Sequence, residues 1–378
     1  MFTTVRITDA GGHDQIGWAE GQTFSLPRAL MDRIGWTARL TGGGRLAVPP
    51  GPSGIRAADA IEARDRAAFT DSPPASARLP FSYQLVPGFV RAAVASAVGR
   101  RQRARVAHWA EFPGWPLDLT ADLLSDLAGE PRPDLGDRTP VLITHDIDSP
   151  EGLRSLVDAF LPIEERAGAR STSYIVPCAW TPDQGAIDDL RRRGHEVGVH
   201  GYDHSNRTPF ADPGELARRL DAPRPFIERH DVIGYRAPSL LRTRPLLRGL
   251  ATRYRYDSSI PTSGGPFPVP NNGCASARPY VLEGICEIPL SLPRDGSLRF
   301  LGHTPDEILT MWIACSDAIA RSGGVVVLLT HCEARFSGNA AMLDVYRRFL
   351  EHLAAAPARF VLSSPRKIVE RLGHARSV

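Results

Sequence analysis

Four short stretches of this chain bring together residue types that do chemistry. The first is VLITHDID, residues 141–148: three β-branched residues among its first four read as a buried strand, and His145, Asp146 and Asp148 follow at its end. Residues two apart on an extended chain point the same way, so Asp146 and Asp148 can share one face. Two carboxylates that close repel unless a cation neutralises them. Capping of the helix that follows Ser149-Pro150 is the competing reading of the same acids. The second stretch is GHEVGVHGYDH, residues 194–204, where His200 ends a short strand and His204 follows four residues later. Two imidazoles at i and i+4 can meet on one metal if the chain turns between them, although HxxxH alone is a weak signal. His195 falls before that strand or on its other side and is read as structural.

Two further strand ends add polar groups. In GYRAP, Arg236 ends a strand that Pro238 stops, and its guanidinium can hold a carboxylate ionised or form a purely structural ion pair. In VVVLLTHCE, His331 follows a long apolar run, with Leu329 two residues before it, and can donate a proton near neutral pH. Asp257, in YRYDSSIP, reads either as a turn residue or as a partner behind the site residues, and the turn is favoured. Trp109, Phe112 and Trp115 in HWAEFPGWPLD read as packing residues rather than as a sugar-binding surface.

The elements that position these groups show in the hydrophobic pattern from Pro140 onward. Strands are expected at 141–146, 171–176, 196–200, 232–236, 254–258, 287–292, 325–331 and 360–363. Helices are expected at 151–167, 184–193, 213–221, 305–321 and 342–355. Strand–helix alternation at this spacing argues for a parallel sheet, and about eight strands suit a barrel better than an open sheet. The expected fold class is α/β, a distorted (β/α) barrel over residues 138–378 with an N-terminal α+β extension. Within that extension, residues 1–80 read as a small irregular β-containing segment and 81–137 as a helical packing region, with linkers at 70–80 and 131–137.

Composition adds exclusions. The chain has 378 residues, 42% hydrophobic and 23% charged, an ordinary globular balance, and its net charge of +3 makes no case for nucleic acid. The basic run Arg100, Arg101, Arg103 and Arg105 reads as a solvated helix face. No apolar run suffices to cross a bilayer. Five cysteines without CxxC spacing suggest free thiols, and MFTTVRITDAGG lacks the pattern of a secretory signal, so a cytoplasmic location is expected.

The ordered set THDID, HGYDH, GYRAP and LLTH resembles the polysaccharide deacetylase family, also called the NodB-homology family or carbohydrate esterase family 4. The resemblance covers roughly residues 140–375 and implies a distorted (β/α) barrel. It implies Asp146 as a base, Asp148, His200 and His204 as metal ligands, and Arg236 as the residue holding Asp146. It further implies Leu329, with Pro238 nearby, against the acyl group, and His331 as the acid. The sequence departs from the family where Ile147 separates the two acids, where Ser239 stands in place of a frequent Gly, and where the fourth-motif Trp is missing from CEIPLSLPRD. Asp295 is the only acid near that last stretch, and the partner of His331 stays unassigned.

The expected activity is hydrolysis of an N-acetyl or other small N-acyl group on an amino sugar. The expected cofactor is one divalent metal, zinc preferred, with Co, Ni or Fe(II) fitting the same ligands. The expected partners are an N-acetylated sugar substrate, no nucleic acid and no stable membrane insertion. Residues 1–130 are expected to pack against the barrel or to help it form a homo-oligomer. Rival readings are an amidase acting on a non-sugar amide and a glycan-binding module with a relict site. A 2-His-1-carboxylate iron oxygenase would share the ligands but not the strand–helix context.

Overall fold

The computed structural model describes residues 2–8, 23–41, 45–47, 54–79, 83, 86–106, 117–263 and 273–375. The N-terminal part forms a four-stranded sheet from β1 (Phe2–Thr8), β2 (Thr23–Pro27), β3 (Leu40–Thr41) and β4 (Arg45–Ala47), in the order β2-β1-β4-β3. The glycine turn at 42–44 and the aromatic residues Trp109, Phe112 and Trp115 lie outside the described residues.

The remaining strands form one sheet: β5 (Thr139–Ile147), β6 (Thr172–Ile175), β7 (Glu196–Val199), β8 (Gly234–Tyr235), β9 (Tyr256–Asp257), β10 (Tyr280–Leu282), β11 (Ile285–Glu287), β12 (Val326–His331) and β13 (Phe360–Ser363). The strand order is β10-β11-β9-β8-β7-β6-β5-β12, with β13 also pairing β5, and all neighbours are parallel except β10 with β11. After β11 the chain runs on to bridge the two ends of the sheet. Leu290 N–H donates to the Ile260 carbonyl at 2.9 Å and Leu292 N–H to the Val327 carbonyl at 3.1 Å. Ser291 Oγ accepts from Val327 N–H at 2.8 Å. Closure by scattered hydrogen bonds rather than by a full ladder makes this a distorted (β/α) barrel.

Strand periodicity explains where the core sits. A strand turns alternate residues to opposite faces. Leu142, Tyr174, Tyr256, Val325, Val327 and Leu329 pack together inside the barrel, while Val141, Ile143, Ile147, Val197, Val199, Val326 and Leu328 pack against the surrounding helices. Carried on in the same alternation, through Thr144 on β5 and directly from Leu329 on β12, the inward set reaches Asp146 and His331. His145 belongs to the outward set and is fully buried there, with Nδ1 2.8 Å from Thr330 Oγ1 and Nε2 2.9 Å from Glu164 Oε1. His195 lies in the same outer layer, accepting from Ser171 N–H at 3.0 Å, away from the barrel mouth.

Most expected elements appear within a residue or two. Three differences have physical causes. The expected helix 151–167 is interrupted by a wider π turn at Leu156–Phe160. Asp257 is a strand residue, fully buried in β9, because Ser259 Oγ donates to its carboxyl at 2.6 Å and Glu287 lies beside it. The expected linker at 70–80 contains the turn of helix Ala75–Arg78 and is clamped to the barrel. Thr70 N–H donates to the Arg242 carbonyl at 2.7 Å, and buried Arg242 donates to the carbonyls of Ala67 and Ala68. A second clamp joins helix Thr120–Leu127 to the barrel: Asp122 accepts from Ser276 Oγ and Ala277 N–H, and Arg278 pairs with Asp126 at 2.8 Å. These contacts pack the described part of residues 1–130 onto the barrel.

Candidate metal centre and acid–base groups

All the chemistry-bearing residues except Asp257 and the outer-layer histidines converge at the C-terminal mouth of the strands, where barrel enzymes place their sites. Asp148 lies just past the end of β5. His200 follows β7, and His204 follows the turn at Gly201. His204 adopts a left-handed backbone with φ 54°, which lets the short loop bring both rings to one side. The His200 Nε2 to Asp148 Oδ1 distance is 3.5 Å, and the His204 Nε2 to Asp148 Oδ1 distance is 3.3 Å.

This trio fits a metal ion on three counts. Metal–ligand bonds of roughly 2.0–2.1 Å at a tetrahedral centre put neighbouring ligand atoms about 3.3–3.4 Å apart, close to the two distances seen. Asp148 Oδ1 is buried without a hydrogen-bond partner, a costly state unless a cation meets it. Each imidazole is also oriented from behind, as metal-bound histidines usually are. His200 Nδ1 donates to the Arg236 carbonyl at 3.0 Å, and His204 Nδ1 lies 2.9 Å from the Tyr83 hydroxyl, so both Nε2 atoms face the centre. Among the described residues, this is the one group of three or more acids, histidines or cysteines arranged to hold a metal.

Asp146 sits beside the trio, with Oδ2 3.6 Å from His200 Nε2. Its Oδ1 accepts from Arg236 Nη1 at 3.1 Å. Arg236 is fully buried and held from every side: Nη1 also donates to Thr144 Oγ1 at 2.9 Å, Nε to the Ser258 carbonyl at 2.9 Å and Nη2 to Ser258 Oγ at 3.1 Å. Its guanidinium stacks 4.1 Å from the centre of the Tyr174 ring. Burial works against the Asp146 carboxylate, yet His200, Arg236 and His331 outweigh it and hold the group down at about 2. Asp148 is also lowered, because His204 and His200 outweigh its burial.

His331 stands at the end of β12, opposite Asp146 in the β5–β12 register. The partner the sequence left unassigned is Asp295. Its Oδ1 lies 2.8 Å from His331 Nδ1, and its Oδ2 accepts from His331 N–H and Ser337 Oγ at 2.7 Å each. Burial alone would lower the imidazole, but the Asp295 carboxylate overrides it and raises His331 to about 9. The ring is therefore protonated at neutral pH with Nε2 left for the cleft. Leu329 is fully buried two residues before His331, and buried Pro238 packs where a Cβ on Gly201 would lie, 2.5 Å from its Cγ and Cδ.

Sequence reasoning missed two more groups here. Tyr83, from the N-terminal extension, reaches across 121 residues to His204, and a lone Tyr between unpatterned neighbours carries no signal. Glu333, two residues after His331, accepts from Ser149 Oγ at 2.7 Å, and burial and nearby Asp148 raise its carboxyl. Its place after LLTH was the available clue. Ser239, which stands where the related motif often has Gly, has φ 53°, a left-handed position that explains the preference for Gly.

Neither a protein-family model nor a curated protein matches the sequence. Solved structures do. One named for a polysaccharide deacetylase of Mycobacterium smegmatis superposes with a TM-score of 0.54 at 21% identity, covering 65% of this chain and 95% of that one. One named for a polysaccharide deacetylase of Pseudomonas aeruginosa PAO1 gives a TM-score of 0.54 at 14% identity, covering 70% and 100%. The allantoinase Puue gives 0.51 at 16% identity, covering 70% and 99%. With its curled parallel sheet and surrounding helices, the chain has the fold of the polysaccharide deacetylases.

Proposed function

We propose that this protein is a metal-dependent hydrolase that removes an N-acetyl or other small N-acyl group from an amino sugar. The observation that carries this reading is a three-ligand trio within reach of a separate ionised carboxylate and a protonated imidazole. Asp148, His200 and His204 would hold a divalent metal, which would acidify a water and polarise the acyl carbonyl. Two imidazoles and one carboxylate suit zinc, with Co, Ni or Fe(II) accepted by the same donors. Asp146, kept ionised and fixed in place by Arg236, takes a proton as water attacks the amide carbon. His331, kept protonated by Asp295, gives its proton to the departing amine nitrogen. Leu329 and Pro238 would flank the acyl group from the barrel interior.

The base and the acid match their tasks by environment. Arg236 favours the charged form of Asp146, and Asp295 favours the charged form of His331, so base and acid coexist over a wide pH range. The five cysteines form no disulfide, which agrees with action in a reducing compartment, and no helix of the described residues is long and apolar enough to cross a membrane.

The test is acetate release by zinc-loaded protein from N-acetylated sugars, sugar phosphates and glycosides, run beside small cyclic and linear amides. Those amides are included because one protein of this fold is an allantoinase. Release from sugars that stops on chelation supports the proposal. Hydrolysis of the non-sugar amides alone would replace it with the amidase reading, and turnover of nothing would overturn it.

A further inference from the structure

The mouth of the barrel carries more positive charge than the proposed reaction uses. Three arginines from separate parts of the chain border it. Arg294 immediately precedes Asp295, its Nε donates to Ser297 Oγ at 2.9 Å, and its guanidinium, held below the ordinary arginine range by burial, feels the carboxylates of Asp295, Asp146 and Asp148. Arg335 is exposed, 4.8 Å from the centre of the Phe336 ring, which lies 4.8 Å from the His331 ring. Arg91, on the helix Gly88–Val106, lies 5.9 Å from the centre of the Tyr83 ring, whose hydroxyl meets His204. Each arginine is therefore one side chain removed from a metal ligand or from the acid.

Burial holds Arg91 below the ordinary arginine range, and both the neighbouring Arg335 and the Asp148 carboxylate act on it. No carboxylate of the described residues forms an ion pair with Arg294 or Arg335, whereas exposed Arg218 pairs with Glu215 and exposed Arg348 with Asp306 and Asp344. Asp295, next to Arg294, is already engaged by His331 and Ser337. A guanidinium fork matches the oxygens of a phosphate or a carboxylate, and this mouth offers three of them beside the reacting groups.

We infer that the substrate carries an oxyanion, a phosphate or a carboxylate, bound by Arg91, Arg294 and Arg335 next to the acyl group that is removed. This inference rests on the proposed reading of the site as an amino-sugar amide hydrolase. It narrows the substrate class from neutral N-acetylated glycans to anionic N-acyl amino sugars.

The test separates binding from turnover. Zinc-loaded Asp146→Asn protein is titrated calorimetrically with N-acetylglucosamine, its 1-phosphate, its 6-phosphate and N-acetylglucosaminuronic acid. At least one anionic sugar should bind ten-fold or more tightly than the neutral one, and the phosphate and carboxylate arms decide which oxyanion the arginines take. Added salt should shrink that preference. Arg335→Gln and Arg91→Gln, each introduced on top of Asp146→Asn, should each reduce the ratio of anionic to neutral affinity about ten-fold. Equal binding of neutral and anionic sugars, no binding of any anion, or a preference unchanged by both variants overturns the inference. Failure of the underlying reading looks different: anions still bind tightly, yet the wild-type enzyme releases acetate from none of the sugars.

Discussion

Replacing Asp295 by Asn tests the acid half of the proposed chemistry at one atom pair. The His331 Nδ1 to Asp295 Oδ1 contact of 2.8 Å is nearly sealed from water, with side-chain exposures of 12% and 2%. Asp295 is the largest influence raising the imidazole from 6.5 to about 9, against a burial that pulls the other way. The difference corresponds to about 3 kcal/mol in favour of the protonated ring. A folded-state pKa above the unfolded one stabilises the protein fully below about pH 6.5, and that contribution is lost as pH rises through about 9. The same window governs catalysis, since the acid works only while protonated. Asn keeps the shape and can still accept a hydrogen bond, but it removes the charge and leaves burial to dominate. The alkaline limb of kcat/KM should move from about pH 9 to near or below 6.5, so the loss should be about ten-fold or more at pH 8 and slight at pH 6. A pH–rate profile of both proteins, with His331 followed by NMR through its ring protons, measures the effect directly. An alkaline limb that stays in place while His331 itself titrates lower would show that the limb belongs to another group and that His331 is not the acid.

Asp148→Asn should lose metal and activity together, whereas Asp146→Asn should keep metal and lose about a hundred- to ten-thousand-fold in rate; metal analysis and turnover on the two proteins check this, and the reverse pattern would exchange their roles. Chelation should lower the melting temperature by several degrees and zinc should restore it, because an ion bound a thousand-fold above its dissociation constant stabilises by about 4 kcal/mol; an unchanged melting curve would argue against a metal at the trio. Gly198→Ala would place a Cβ 2.4 Å from Tyr174 Cδ1, so the ring beneath Arg236 must move. A destabilisation of about 1–3 kcal/mol in urea, with reduced turnover, is expected.

The part of the site legible in the sequence is the part that short-range periodicity controls. Asp146, Asp148, His200 and His331 all lie at or just past the ends of strands whose alternation was visible, and His204 follows His200 by only four residues. Arg236 was legible as a cation at a strand end, and the structure supplied its hydrogen bond to Asp146. What stayed hidden depends on pairings between distant segments that leave no local mark. Asp295 meets His331 across 36 residues, and Tyr83 meets His204 across 121. Asp257 misled because Asp before Ser-Ser suits a turn, and only the buried neighbourhood of Ser259 and Glu287 makes a strand carboxyl tolerable there. Short strands were also hard to place: β10 has three residues, too few to show alternation, and β11, Ile285–Glu287, ends where the expected strand 287–292 begins.

The same periodicity gives Ile147 a physical purpose. On β5 the inward positions run Leu142, Thr144, Asp146, and the next inward step is Asp148. Ile147, between the two acids, points outward and is fully buried against the helical layer. A strand carrying the acids side by side would send one of them outward unless it ended or twisted first. Spaced by one apolar residue, both acids reach the mouth while β5 remains regular through Ile147, so the departure from adjacent acids costs the core nothing. It also fixes their separate fates. Asp146 is still inside the sheet, where its β12 neighbour His331 and buried Arg236 reach it, whereas Asp148 has just left the sheet and meets the two imidazoles. One strand end thereby supplies a base held by an arginine and a ligand open to a metal, from residues two positions apart.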